Sequence, residues 1–302
     1  MAVMKIALGP VLYGWSGDEL ARFYDGVAKQ PVDIVYLGEV VCSRRRGFRP
    51  EDWIDTADRL AAAGKEVVFS TLALLETNAD LRAMRKLVAN GRYRVEANDM
   101  AAVAALSEQR AEFVGGPHLN VYNNATLELL VRHGARRWVP PVELPRASLE
   151  QLLRKDGSGA ECEVFVLGRM PLAMSARCFT ARRHGLEKDA CENVCEKYPD
   201  GLALATRDGD AFLALNGIQT QSASVCNLVA ELPALRELGV AAVRVSPHST
   251  GCVETIDLVR AALDGALAPR DAAQRIERLL PGPACNGYWH GKPGMENVAM
   301  AG

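Results

Sequence analysis

The chain has 302 residues, 49% hydrophobic and 24% charged, with a net charge of -2 and a pI near 6.3. This is a globular composition, long enough for one large α/β domain or two smaller ones, and its charge gives no global attraction to nucleic acid or to an anionic membrane. No apolar run approaches the roughly 18 residues of a membrane span, and the start Met1–Pro10 reads as a strand rather than an export signal. The sequence therefore predicts a cytoplasmic protein whose eight cysteines are core residues or metal ligands rather than disulfides.

In chain order, Met4–Val11 is a short apolar strand and Ser16–Ala28 a helix. Asp33–Glu39 is a second buried strand, followed by a helix over Pro50–Ala63 whose Trp53, Ile54, Ala57, Leu60 and Ala61 share one side. Gly64 stands where a C-cap belongs. Glu66–Ala73 is the third strand, and Ala79–Ala89 the third helix, stopped by Asn90-Gly91. Tyr93–Ala97 and Met100–Glu108 repeat the pair. The fifth strand falls on Phe113-Val114 or on His118–Val121, before a helix over Ala125–His133. Trp138–Val142 and a helix over Leu149–Arg154 follow, then a seventh strand over Glu163–Leu167. After an interruption, the pattern expects a helix over Ala223–Leu238, a strand over Ala242–Val245 and a last helix over Val253–Leu263.

About eight strand–helix units argue for a parallel sheet, and at this length for a closed (β/α)8 TIM-type barrel spanning residues 1–302 as a single domain. No dinucleotide fingerprint or P-loop follows any strand. The interruption, an insertion over 169–221, is far longer than an ordinary connection. It ends in a β-hairpin over Ala203–Leu215 turning on Asp208-Gly209-Asp210, and residues 281–302 form a C-terminal tail. An insertion after a barrel strand lies on the face that carries active sites.

Within it, Cys178 precedes Cys191 and Cys195, which stand four residues apart and would share one side of a helical turn. Cys42 follows the second strand and opens onto the same barrel face. Charged and polar neighbours make Cys178, Cys191 and Cys195 poor core residues, with Cys42 the candidate fourth ligand, whereas Cys162 in the seventh strand and Cys226 in the expected helix suit burial. Cys252 and then Cys285 are the rivals for the fourth ligand place. Zinc would accept four thiolates, but only one close pair is present, with three residues between. Iron–sulfur clusters tolerate more varied spacing. A thiolate-ligated oxidised [4Fe–4S] cluster carries about two negative charges, and Arg44, Arg45, Arg46, Arg177, Arg182 and Arg183 flank the cysteines to offset them. The spacing of radical-SAM enzymes is absent, since Tyr198 stands where a third cysteine would be. Polar residues at strand ends, namely Glu39, Asn98, His118, Asn120, Glu143, Arg169 and His248, are the catalytic candidates. Glu143, behind Pro140-Pro141, leads Glu39, His118 and Asn120.

Several segments resemble the UbiV branch of the collagenase-like peptidase family: Leu8-Gly9-Pro10-Val11-Leu12, Val35-Tyr36-Leu37-Gly38-Glu39 with Cys42-Ser43, and Phe69-Ser70-Thr71-Leu72-Ala73-Leu74. Pro141-Val142-Glu143-Leu144, the block Ser175-Ala176-Arg177-Cys178-Phe179-Thr180-Ala181-Arg182, Leu215-Asn216-Gly217-Ile218-Gln219-Thr220 and Cys285-Asn286-Gly287-Tyr288-Trp289 complete the set. The resemblance implies a [4Fe–4S] cluster on Cys42, Cys178, Cys191 and Cys195, excluding Cys252. It also implies oxygen-independent ring hydroxylation of ubiquinone precursors as a heterodimer with a UbiU-like homologue, the apolar precursor being delivered by a lipid carrier. The alternatives it leaves open are an RNA hydroxylase of the same family and a non-catalytic electron-transfer or structural subunit. Proteolysis is not expected: no His-Glu-x-x-His or Gly-x-Ser-x-Gly is present, and Gly14-Trp15-Ser16-Gly17 reads as a turn.

Overall fold

The computed structural model describes residues 4–299. Its elements in chain order are β1 (Lys5–Leu8), α1 (Gly17–Val27), β2 (Ile34–Leu37), α2 (Pro50–Ala62), β3 (Glu66–Ser70), α3 (Asn78–Val88), β4 (Arg94–Ala97), α4 (Met100–Glu108), β5 (Phe113–Gly115) and α5 (Asn124–Arg132). There follow β6 (Ala135–Trp138), α6 (Arg146–Lys155), β7 (Glu161–Met174), α7 (Phe179–Arg183), β8 (Leu202–Ala205), β9 (Ala211–Asn216), β10 (Gln219–Asn227), α8 (Leu232–Glu237), β11 (Ala242–Val245), α9 (Cys252–Leu263), α10 (Pro269–Glu277) and β12 (Ala284–Cys285).

Strands β1 to β7 pair in parallel, each with the next, and β11 pairs with both β7 and β1. That closes an eight-strand parallel ring, a (β/α)8 barrel. The helix starts are written locally: Ser16 and Thr77 cap α1 and α3 in reciprocal boxes with Glu19 and Asp80. Along β2, Val35 and Leu37 face the helical layer, while Ile34 and Tyr36 face the lumen with Ala7, Val68, Val114, Val139 and Ala242. The lumen also holds charge. Arg244 pairs with Glu96 at 2.7 Å and Glu163 at 2.6 Å, and Tyr36 Oη donates to Glu163 at 2.6 Å. Buried charges are tolerated when paired in this way.

Three expectations need correction. The seventh strand does not end at Leu167, because the 14-residue β7 runs on to Met174 and pairs antiparallel with β10. Gly168, at φ 135°, marks the point of departure: a Cβ there would lie 2.5 Å from the Cβ of Ser246. The helix expected over 223–238 begins as β10, since Gln219, Gln221, Val225 and Cys226 complete that sheet, and only Leu232–Glu237 is α-helical. Cys226 is therefore a strand residue. The sixth strand is Ala135–Trp138, ahead of the expected Trp138–Val142, because Pro140 and Pro141 cannot donate to a central ladder. Of the two readings of the fifth strand, Phe113-Val114 holds; Pro117–Leu119 is a 3-10 turn. The hairpin β8–β9 stands where expected, and β10, β9, β8 with β12 extend the sheet outward from β7 as an annex. Among the described residues, no helix is long and apolar enough to cross a membrane.

Candidate functional site

The annex folds back over the barrel's C-terminal face and brings distant cysteines together. Cys42 lies in the loop after β2, and its backbone N–H donates to Glu39 Oε1 at 3.2 Å. Cys178 is the N-cap of α7, where its Sγ accepts from Ala181 N at 3.4 Å. Both pack beside Leu12, Val40, Val41 and Ile218. Cys191 and Cys195 do not share a helical turn as the sequence suggests. Glu192 and Asn193 between them adopt left-handed backbone, at φ 52° and 51°, and 3-10 turns lie on either side. The four thiols still meet: Cys178 is within electrostatic reach of Cys42 and Cys195, and Cys191 of Cys195.

Arg45 lies beside two of these thiols, Cys42 and Cys195. Its side chain is 6% exposed. It donates to the carbonyl of Leu12, to Glu39 Oε1 at 3.2 Å and to Asn216 Oδ1 at 2.6 Å. Its Nε has no hydrogen-bond partner. Gly14 adjoins both groups: a Cβ placed on it would be 3.4 Å from Arg45 Nε and 2.7 Å from Cys195 Sγ. Burial pushes the Cys195 and Cys42 thiols up, and the Arg45 charge pulls both down. The other expected cations contribute less. Arg44 pairs with Asp189, while Arg46, Arg177, Arg182 and Arg183 are exposed. The sequence reading treated Arg45 as one of six equivalent flanking cations and missed Gly14 and Asn216, whose roles depend on contacts distant in sequence.

The donor set suits a thiolate-ligated iron–sulfur cluster: four cysteines, one buried guanidinium and a backbone cradle at Gly14. Among the described residues, no group of three or more His, Cys, Asp or Glu is placed so that it could hold a metal ion. Arg45 stands beside two of the thiols, Cys42 and Cys195. Cys252 and Cys285 are buried elsewhere, on α9 and on β12 beside Cys226, with thiols pushed by burial to about 12 and about 11.

A second feature is a cavity of about 240 Å³ at the barrel mouth, lined by His118, Asn120, Tyr122, Glu143, Leu172 and Met174 among others. Tyr122 Oη donates to Glu143 Oε2 at 3.0 Å. Burial holds His118 down to about 4, so its ring is neutral at pH 7. Three of the four leading catalytic candidates thus share one cavity, and Glu39 does not, being committed to Arg45 and the Cys42 loop. Asn98 lies buried against Glu96 and Thr71. Arg169 ties β7 to the carbonyls of Ser222, Ala223 and Pro281, a structural role. His248 is buried at the end of β11, and burial lowers its pKa. Ala73 and Met174 line the mouth cavity and also pack against the apolar cluster that holds Cys42 and Cys178. One layer of side chains separates cavity from thiols.

The model of Peptidase family U32 matches residues 22–299. The chain belongs to this family. The resemblance to the collagenase-like peptidases read from the sequence therefore holds at family level. Among solved structures, the U32 peptidase Mk0906 is 12% identical with a TM-score of 0.47, covering 82% of this chain and 94% of that one. Proteus mirabilis N-acetylneuraminate lyase is 9% identical with a TM-score of 0.48, covering 90% and 81%. A tryptophan synthase complex from Pyrococcus furiosus gives 10% and 0.44, covering 90% and 96%. The barrel assignment for this U32 member rests on its own strand pairings rather than on these likenesses.

Proposed function

We propose that this U32 chain works as UbiV-type proteins do, holding a [4Fe–4S] cluster on Cys42, Cys178, Cys191 and Cys195 and serving oxygen-independent hydroxylation of the ring of ubiquinone precursors, as a heterodimer with a UbiU-like homologue. The observation that carries the reading is a buried arginine whose Nε has no hydrogen-bond partner, placed beside Cys42 and Cys195, with Cys178 and Cys191 in electrostatic reach of Cys195. A buried cation unpaired in this direction is costly unless an anion faces it, and a cysteine thiolate supplies that anion.

When bound, the cluster would supply one-electron transfer. The chain's own residues do the rest. Arg45, fixed by Glu39 and Asn216, holds positive charge against Cys195. Ala73 and Met174 keep the mouth cavity within one side-chain layer of the thiols while closing direct contact. In that cavity, neutral His118 offers an acceptor or donor nitrogen at pH 7, and Tyr122 orients the Glu143 carboxylate. An apolar precursor brought by a lipid carrier would present its ring there. The test is a deletion strain: ubiquinone should vanish under anoxia and persist in air, and co-expression with the homologous subunit should give a stable heterodimer. Unchanged quinone in the anoxic deletion strain removes the pathway assignment.

A further inference from the structure

A second cavity, of about 410 Å³, opens on the outer side of the cysteine site. It lies in the gap between α2 and α3, where the β2 and β3 ends form its floor. Its walls are Phe48, Trp53 and Ile54 on one side and Ala83, Met84 and Leu87 on the other, with Phe69 below. Ile54 is 40% exposed, an apolar side chain left uncovered at the rim. Its polar lining residues besides Glu39 are Ser43, Arg45, Ser70, Thr71, Asp80, Lys86 and Asn90; Asp80 accepts from Glu76 and Thr77, and the Asn90 amide is bound to Leu87 and Tyr93. Arg45 turns its hydrogen bonds away, to Leu12, Asn216 and Glu39. Ser70 and Thr71 hydroxyls point to Glu96 and the Asn98 amide. The Glu39 carboxylate remains 24% exposed, with only Oε1 engaged by hydrogen bonds. The cavity therefore offers Glu39 as a hydrogen-bond acceptor in a lining that is mostly hydrocarbon.

We propose that this cavity is a binding site for a small hydrocarbon molecule bearing a hydroxyl group, an alcohol or phenol whose O–H donates to Glu39. The size falls in the range of small-molecule pockets, and aromatic and aliphatic walls with one or two placed polar groups are their ordinary make-up. The pocket reaches past the helical layer to the strand ends, which suits a slender ligand rather than a docked helix. The β3–α3 loop divides it from the barrel mouth: Thr71 and Leu72 line this cavity and Ala73 lines the other. No part of the assignment requires iron.

The test is displacement of the neutral fluorophore 1-aminoanthracene from the full chain, purified without air, by farnesol, with farnesoic acid as the counter-probe. The expected result is one saturable site per chain, displacement by farnesol, and weak displacement by the acid, whose carboxylate meets Glu39. Ala83→Trp fills the cavity from an exposed position on α3, and Ile54→Glu places charge at its rim. Each should weaken binding about tenfold or more, with melting temperature unchanged. Leu129→Glu, at another exposed apolar position on α5, should leave binding intact. Absence of saturable binding, full affinity in both cavity variants, equal loss in Leu129→Glu, or equal displacement by the acid overturns the proposal. Iron counted in the same samples separates the two readings: bound iron without farnesol binding sinks this site alone, and farnesol binding without iron sinks the cluster alone.

Discussion

The packed core and the meeting of the annex with the β2 loop treat the same chemical groups differently. In the core, Cys162 on β7, Cys226 on β10, Cys252 on α9 and Cys285 on β12 are buried among apolar side chains, and burial pushes every one of their thiols well up. Its buried arginine, Arg244, faces two carboxylates. Where the annex meets the β2 loop, four cysteines are half-buried, and Arg45, which faces one carboxylate, lies beside two of them, Cys42 and Cys195. Burial alone makes a thiol inert, whereas partial exposure beside a cation favours the thiolate. On the proposed reading, this difference separates cysteines that pack from cysteines that hold a cluster.

Substitution is the strongest way to break this comparison. Alanine at Cys42, Cys178, Cys191 or Cys195 should each remove most of the iron from anaerobically purified protein. Alanine at Cys162 or Cys226 should cost about 1 kcal/mol of stability and leave iron unchanged. If Cys252→Ala empties the protein while Cys42→Ala does not, the grouping is wrong. In the barrel body the large effect should be on stability instead. Glu163→Ala leaves Arg244 and Arg137 short of a buried partner, and should lower unfolding free energy by about 3–5 kcal/mol, read from the urea midpoint. A shift below 1 kcal/mol would mean that the lumen network relaxes or hydrates.

A pH titration sharpens the contrast further. His118 is held down to about 4 in the folded protein against about 6.5 unfolded. As pH falls below 6.5 the unfolded chain takes up a proton that the folded chain refuses, so stability drops until about pH 4. The loss is up to about 3 kcal/mol, less for the ring's remaining contact with water. His118→Asn should flatten this part of the profile; an unchanged slope would assign it to other groups. The smallest effect is expected at Gly14. Gly14→Ala drives a methyl to within 2.7 Å of Cys195 Sγ, whereas Gly26→Ala on α1 meets nothing within 4 Å. The first should lower iron retention on gel filtration without abolishing it, and the second should leave it intact. Equal retention in both would place Cys195 away from Gly14.

Much of the body was legible in the sequence because its determinants are local. Apolar runs set off by glycines and helix caps, as at Ser16 and Thr77, mark each unit of the barrel. The annex was less legible because its order comes from pairing across the fold. The Gln219–Asn227 strand reads as the start of a helix until β7 is seen running out to meet it. Cys191 and Cys195 look like neighbours on a helix until Glu192 and Asn193 are found in left-handed backbone. The cysteines themselves stood out by their polar surroundings, but Arg45 could not be told from Arg44 and Arg46. Its distinction is a set of contacts with Leu12, Glu39 and Asn216 that no spacing rule contains. Likewise Glu39 looked like a strand-end catalyst, and its commitment to Arg45 is visible only in three dimensions.

The most direct test of the central claim is a count of iron and acid-labile sulfide in protein purified without air, together with its visible spectrum. The account predicts a brown protein with about four iron and four sulfide per chain, absorbing broadly near 400 nm and bleached by dithionite, in the manner of cysteine-bound clusters. Colourless protein carrying one zinc per chain would contradict it and make the four thiols a structural metal site.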